Sequence, residues 1–188
     1  MRKRIGTADE KTPADLKKRN FIPGGIYMTD IRDILTSISL ETDVIVVNVF
    51  DLDNTTAAIA DLFTKLGAEG VNINMIALNP SCKTTQTLSF TANAADTTRI
   101  IQIITQLQAD KKPRIELNAQ NCIATFCGQK VEQECGICAF VFEAFANYGI
   151  RIKLITTSKR TIACLFDERY YGNAVKMFRE VFREELTE

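Results

Sequence analysis

Two small groups of residues in this 188-residue chain have the types and spacing to do chemistry. Cys135-Gly136-Ile137-Cys138 is a C-x-x-C pair at the expected start of a helix, where the dipole lowers a thiol pKa and favours dithiol redox exchange. Asp51 and Asp53 close an apolar strand pattern and have the spacing of an acid–base pair. Each group has a plainer reading. The C-x-x-C lacks the usual context of a redox motif after the strand of a βαβ unit. Alone, it also leaves a zinc tetrahedron half empty. Asp53 or Asn54 is expected to cap the following helix by accepting its free N–H groups. Histidine is absent, which removes the commonest general base and metal ligand. No catalytic residue and no metal ligand is therefore assigned.

The elements that carry these residues come from a duplication. Ile59 to Ile76 aligns with Cys138 to Ile155 without a gap, setting Phe63 on Phe142, Gly70 on Gly149, Ile73 on Ile152 and Ile76 on Ile155. The periodicity changes midway through each copy. Ile59, Leu62, Phe63 and Leu66 repeat as the apolar stripe of an amphipathic helix, as do Ile137, Val141 and Phe145. Gly70 and Gly149 then stop the helix, since glycine takes the left-handed position after its last turn without a Cβ penalty. Alternation follows at once in Val71, Ile73 and Met75, and in Ile150, Ile152 and Leu154, the period of a strand with one buried face. Cys138 falls on Ile59 and so takes a core position.

Each copy continues in the same order. A polar turn (Asn79 to Thr84; Ser158 to Arg160) leads to a strand, Thr87 to Thr91 and Thr161 to Phe166. Helices follow, carrying Ile100, Ile101, Ile104 and Leu107 in one copy and Val175, Phe178, Val181 and Phe182 in the other. Tyr170 and Tyr171 pack near the start of the last helix. Strands also precede each copy, at Val44 to Phe50 and Cys122 to Phe126. With Arg114 to Leu117 as its last strand, the first copy is a complete βαββαβ unit. The second copy lacks a last strand within its own span, and Ile31 to Leu40 upstream is unclaimed. The expected fold is therefore α+β, two ferredoxin-like βαββαβ units in tandem with the first inserted into the second. The first unit spans 42–119 and the second 27–41 plus 120–188. Residues 1–25, rich in charge and ending near Pro23-Gly24-Gly25, read as a linker or arm.

Composition bounds the function. Hydrophobic residues make up 46% and charged residues 24%, as in a globular protein. The 23 basic and 23 acidic residues cancel, so no net field draws the chain to nucleic acid or an anionic membrane. The fold also serves RNA binding, but that use wants an aromatic-lined sheet, and this sheet offers Val, Ile and Thr. Apolar stretches are too short to span a bilayer. Met1-Arg2-Lys3-Arg4 has no apolar segment after it, so a secretory signal is not expected and a cytoplasmic location is. Cys82, Cys122, Cys127, Cys135, Cys138 and Cys164 then read as reduced, mostly buried small side chains.

Asn72-Ile73-Asn74-Met75-Ile76 and Ile152-Lys153-Leu154-Ile155-Thr156-Thr157-Ser158 resemble the segments N-I-N-x-D-M-I and I-x-M-I-S-T-S-E of the aspartokinase regulatory region, a tandem of ACT domains. Gln86-Thr87-Leu88-Ser89-Phe90-Thr91 resembles that family's T-D-I-S-F-T strand. The resemblance covers roughly residues 27–184 and implies the same inserted arrangement. It implies a regulatory role in an enzyme that phosphorylates aspartate with ATP, at the start of lysine, threonine and methionine biosynthesis. The kinase domain, with its ATP and magnesium, is not expected in these residues, since no Lys-Phe-Gly-Gly motif or glycine-rich phosphate loop occurs; Arg4-Ile5-Gly6-Thr7 would be the trace of its end. No cofactor is expected in this chain.

By the same resemblance, an amino-acid effector, threonine or lysine, would bind where units meet. Its contacts would be Asp53, Asn54, Thr55, Thr56 and Ala57 in the loop before the first helix and Asn72, Ile73 and Asn74 at the following strand. Gly136, Ile137 and Lys159 are their counterparts in the second unit. The family's Pro-Gly before the helix is Thr56-Ala57 here, and Cys135-Gly136 in the second unit. Its strand Asp is Asn74, and its Glu after the Thr-Ser pair is Lys159. Both charge changes weaken an ammonium site and favour a neutral effector such as threonine over lysine. The expected partners are that effector, an aspartokinase catalytic domain, and a second copy of the chain joined through the units. The alternatives are a dimerisation module that has lost effector binding and a redox enzyme using Cys135 and Cys138.

Overall fold

The computed structural model describes residues 19–22, 26–29, 31–80, 84–111 and 113–182. The arm reading of residues 1–18, the Arg4–Thr7 trace, Cys82 and the tail after Phe182 lie outside them. At the end of the segment read as a linker, β1 (Arg19–Ile22) is a strand and pairs antiparallel with β2 (Ile26–Thr29) beyond it. The two strands flank Pro23-Gly24-Gly25 in the sequence.

After a single helical turn, α1 (Ile31–Ile34), the chain enters β3 (Ser37–Asp53), then α2 (Thr56–Ala68), β4 (Ile73–Pro80) and β5 (Thr85–Asn93). A 3₁₀ turn at Ala94–Asp96 leads into α3 (Thr97–Lys111), followed by β6 (Arg114–Cys127), α4 (Ile137–Asn147), β7 (Ile152–Thr157) and β8 (Thr161–Asp167). A second 3₁₀ turn, Glu168–Tyr170, opens α5 (Tyr171–Met177), which runs on as a π turn through Phe178–Phe182. The strands form one sheet in the order β4-β5-β3-β6-β8-β7.

Two strands are longer than the hydrophobic pattern suggests, because each serves both units. The second half of β3 pairs with β5, while its first half, Ser37 to Glu41, pairs with Cys127 to Ile123 of β6. The strand missing from the second unit is thus supplied from upstream, beginning at Ser37, with Ile31–Ile34 helical instead of extended. Polar residues at Glu41–Asp43 and Asn118–Asn121 read as breaks in the sequence, yet the ladder passes through both. One extra residue is inserted into β3 between Glu41 and Val44, and one into β6 between Asn118 and Asn121. Asp43 (φ 57°) and Gln120 (φ 67°) take left-handed backbone there. Such bulges sharpen the local twist without ending the strand.

The helices of each unit cover one sheet face. Ile45, Val47 and Val49 of β3 join Leu62, Leu66, Leu88, Phe90 and Ile100 in the first core. Ile103 takes the buried place expected for Ile101, which is 47% exposed. In the second core the Phe126 ring meets Phe145, Phe178 and Phe182 at centroid separations of 6.2, 5.9 and 5.0 Å, geometries that aromatic rings favour. In the last helix Ala174 and Met177 are buried with Phe178 and Phe182. A third cluster lies on the opposite sheet face, where Val44, Val46 and Met75 of the first unit meet Ile123 and Leu165 of the second. Through it the two outer strands, β4 and β7, come together.

Both helix stops are as the sequence implies. Gly70 (φ 72°) and Gly149 (φ 65°) follow α2 and α4. Their N–H groups, with those of Val71 and Ile150, donate to the last carbonyls of each helix, from Val71 to Leu66 at 3.0 Å and from Ile150 to Phe145 at 2.9 Å.

Candidate functional site

The loop Asp53 to Ala57 begins where β3 separates from β5. Asn54 N–H donates to the Thr84 carbonyl (2.9 Å), and the buried Gln86 side chain donates to the Asp53 carbonyl (2.8 Å). The helix cap is Thr55, whose hydroxyl accepts from the Ala58 N–H at 3.2 Å. Asp53 and Asn54 are not the cap, because α2 begins at Thr56, one turn position later than the carboxylate could serve. Asn54, Thr55, Thr56 and Ala57 are exposed. Asp51 has left-handed backbone (φ 58°) at an irregularity of the β3–β5 ladder.

Asn72, Ile73 and Asn74 stand at the other end of the same unit. Ile73 pairs with Ala92 and Asp53 with Thr85. Those partners are seven residues apart along β5, or about 24 Å at the strand rise. The loop and the strand start therefore do not share a pocket within one unit. Ile73 packs on the first core, and Asn72 and Asn74 are exposed. Asn74 donates to the Glu41 carboxylate at 2.8 Å, across the boundary between units.

In the second unit Gly136 (φ 94°) precedes α4 without a side-chain cap, and Ile137 is buried in the core. Lys159 pairs with Glu132 at 3.4 Å. Cys135 is exposed and Cys138 half-buried, with Cys138 packed on the second core. Burial pushes the Cys122 thiol up to about 11 and the Cys164 thiol up to about 12. Among the described residues no three His, Cys, Asp or Glu side chains gather as a metal site. No helix among them is long and apolar enough to cross a membrane.

The junction of the units holds a connected polar cluster. Asn121, fully buried, donates to the carbonyls of Val44 (3.0 Å) and Asn118 (2.7 Å), holding both bulges at once. The Lys153 ammonium donates to Asn118 Oδ1 (2.8 Å), Asn121 Oδ1 (2.6 Å) and Asp167 Oδ2 (3.2 Å). Asp167 caps the second 3₁₀ turn through the Arg169 N–H and grips the Arg169 guanidinium with both oxygens. The Arg169 contacts hold its carboxyl well below the usual carboxylate range, assisted by Lys153. A cleft of about 510 Å³ opens here, between Asn118 of the first unit and Arg151, Lys153, Asp167, Arg169 and Tyr170 of the second. None of these was singled out as a binding residue from the sequence. The usable signal was the repeat itself, which sets Lys153 opposite Asn74 and Arg151 opposite Asn72.

Residues 125–182 match the ACT domain family model. An aspartokinase of Geobacillus stearothermophilus is 28% identical over 149 residues, 79% of this chain and 36% of that protein. Over most of its length the chain is thus similar in sequence to part of an aspartokinase. It spans about a third of the length of the curated relatives it matches. In fold it is similar to the regulatory subunit of aspartate kinase from Thermus thermophilus in its ligand-free form. That match has a TM-score of 0.73 at 19% identity and covers 79% of this chain and 99% of that one. Aspartate kinase from Synechocystis gives 0.74 at 18% identity over 82% of this chain and 28% of its own. The family match falls in the second repeat, and the βαββαβ-like pattern on an antiparallel sheet that the sequence repeat indicates is the one the fold shows.

Proposed function

We propose that this chain is the effector-binding region of an aspartokinase, a cytoplasmic enzyme that phosphorylates L-aspartate with ATP. In this reading it senses a biosynthetic end-product amino acid and carries no catalysis itself. ATP and magnesium are assigned to a catalytic domain outside these residues. The observation that carries the reading is that Asn54, Thr55 and Thr56 at one end of the first ACT unit, and Asn72 and Asn74 at the other, are exposed polar residues. Such a split site is completed when a second unit lies antiparallel alongside, bringing one unit's loop against the other's strand start. Edge strands suit that pairing, since Ile76 and Leu78 on β4 and Ile155 on β7 are 49%, 44% and 41% exposed. A homodimer joined through the ACT units is the partner arrangement this favours.

An effector held between units shifts the balance of their arrangements by its differential affinity, and that difference is the regulatory signal. A structure of E. coli aspartokinase III is known in complex with lysine and aspartate. For this chain threonine is the better candidate. Asn74 is neutral and already turned to Glu41, and Lys159 adds a positive charge, so a lysine side chain meets less favourable electrostatics. A thermal-shift panel of threonine, lysine, methionine and diaminopimelate tests the reading. Threonine is expected to raise the melting temperature in a saturable way; an unchanged melting temperature with all four would overturn effector sensing.

A further inference from the structure

The cleft at the unit junction has a charge pattern that the amino-acid reading does not use. Three cations, Arg151, Lys153 and Arg169, face one carboxylate, Asp167. Lys153 has its three N–H groups committed to Asn118, Asn121 and Asp167. Asp167 has both oxygens committed, to Arg169 and Lys153. What remains uncommitted in the lining, among the described residues, is donors: the Arg151 guanidinium, one amino group of Arg169, the Asn118 amide N–H₂ and the Tyr170 hydroxyl. A surface with spare donors, excess positive charge and no spare carboxylate is complementary to oxyanions, and a guanidinium engages two oxygens at once.

The duplication supplies an internal control on whether the fold requires these charges. The first unit has Asn72 and Asn74 where the second has Arg151 and Lys153. Asn93 caps its 3₁₀ turn as Asp167 does, accepting from Ala95 where Asp167 accepts from Arg169. Ala95 and Asp96 therefore stand where the second unit has Arg169 and Tyr170. The same architecture forms in the first unit with none of these cations. Lys153 and Arg169 are tied into the junction by hydrogen bonds, whereas Arg151 has no described side-chain contact and its charge is surplus to folding.

We propose that this cleft binds a small oxyanion, a carboxylate- or phosphate-bearing metabolite, with Arg151 as its principal charge partner. Bound there, the anion bridges Asn118 of the first unit to Arg151 and Arg169 of the second and holds the two units in their present arrangement. The site shares no residue with the amino-acid positions, so it stands or falls separately from them.

The test is calorimetric titration of the full chain, without amino acids, with inorganic phosphate, pyrophosphate, succinate and citrate. Arg151→Gln is compared with Arg160→Gln, an exposed arginine outside the cleft. Saturable binding of the phosphates or of the carboxylates is expected, and which arm binds identifies the source of the oxyanion. R151Q should weaken it about tenfold, the loss of one charge-assisted fork, while R160Q leaves it unchanged. No saturable binding of any of the four, or equal weakening by the two substitutions, would overturn the proposal. Arg151 makes no described side-chain contact, so R151Q is expected to fold normally, and its unchanged melting temperature without anion verifies that the loss is one of binding.

Discussion

The Asn121 side chain donates to the main-chain carbonyl of Val44 across 3.0 Å, tying β6 to β3 where both strands bulge. The same amide group donates to Asn118, and its oxygen accepts from Lys153 at 2.6 Å. One buried side chain thus closes the backbone of both long strands and anchors the second unit's edge strand. Replacing it by alanine leaves the buried Val44 carbonyl without its side-chain donor and removes one of the three acceptors of the Lys153 ammonium. Asn121→Ala is expected to lower unfolding stability by about 2–3 kcal/mol, measured in urea.

Gly128 follows β6 and donates its N–H to the Arg160 carbonyl. A Cβ there would stand 2.0 Å from the Ile34 carbonyl oxygen, with main chain on both sides of the contact. Neither segment can yield cheaply, because α1 and β6 meet at the edge of the second core. Gly128→Ala is expected to destabilise by about 2 kcal/mol or more, whereas Gly172→Ala, with open space around it, should change stability little. Equal melting temperatures for the two variants would contradict this account of the α1–β6 contact.

The buried thiols give a pH dependence with a definite sign. Cys122 and Cys164 are neutral in the fold and titrate at about 11 and about 12 rather than at the ordinary 9.0. A raised folded-state value favours the fold in full below 9.0 and loses that favour as pH rises through 11 to 12. Native alkylation at pH 8 should therefore leave Cys122 and Cys164 unmodified while the exposed Cys135 reacts, since the thiolate is the nucleophile. In denaturant all three should react. Peptide mass spectrometry reads the outcome directly.

Ile76 and Ile155 occupy equivalent places in the two repeats, each on an outer strand and each largely exposed. If these edges join copies of the chain, Ile76→Lys with Ile155→Lys should shift light scattering from dimer toward monomer with little loss of melting temperature for the monomer. Burying two lysines against an apolar strand is what opposes association. An unchanged mass would place the dimer contact elsewhere.

Much of this architecture was legible in the sequence because the repeat is gapless and both helix stops are glycines in a position only glycine takes easily. The inserted arrangement was legible as well, from one strand too few downstream and one too many upstream. The continuity of β3 and β6 was not. Asp43 and Gln120 are polar residues in left-handed backbone, and in a sequence they look the same as residues that end a strand. The cap shifted from Asp53 to Thr55 for a similarly local reason, since either side chain can accept an N–H and the choice rests on where the first helical turn starts. The junction cleft escaped the sequence reading altogether. Its residues come from β6, the start of β7 with the residue before it, the end of β8 and the turn after β8, and only the sheet order, which sets β6, β8 and β7 side by side, gathers them.

The central claim is that the chain senses a free amino acid. Calorimetric titration of the intact chain with threonine, followed by lysine, methionine and diaminopimelate, addresses it most directly. The account expects saturable heat with threonine and weaker or absent heat with lysine, and it expects Asn74→Asp to restore part of the affinity for lysine. Absence of heat with all four amino acids would contradict it, leaving a dimerisation module that has kept the ACT fold without its ligand.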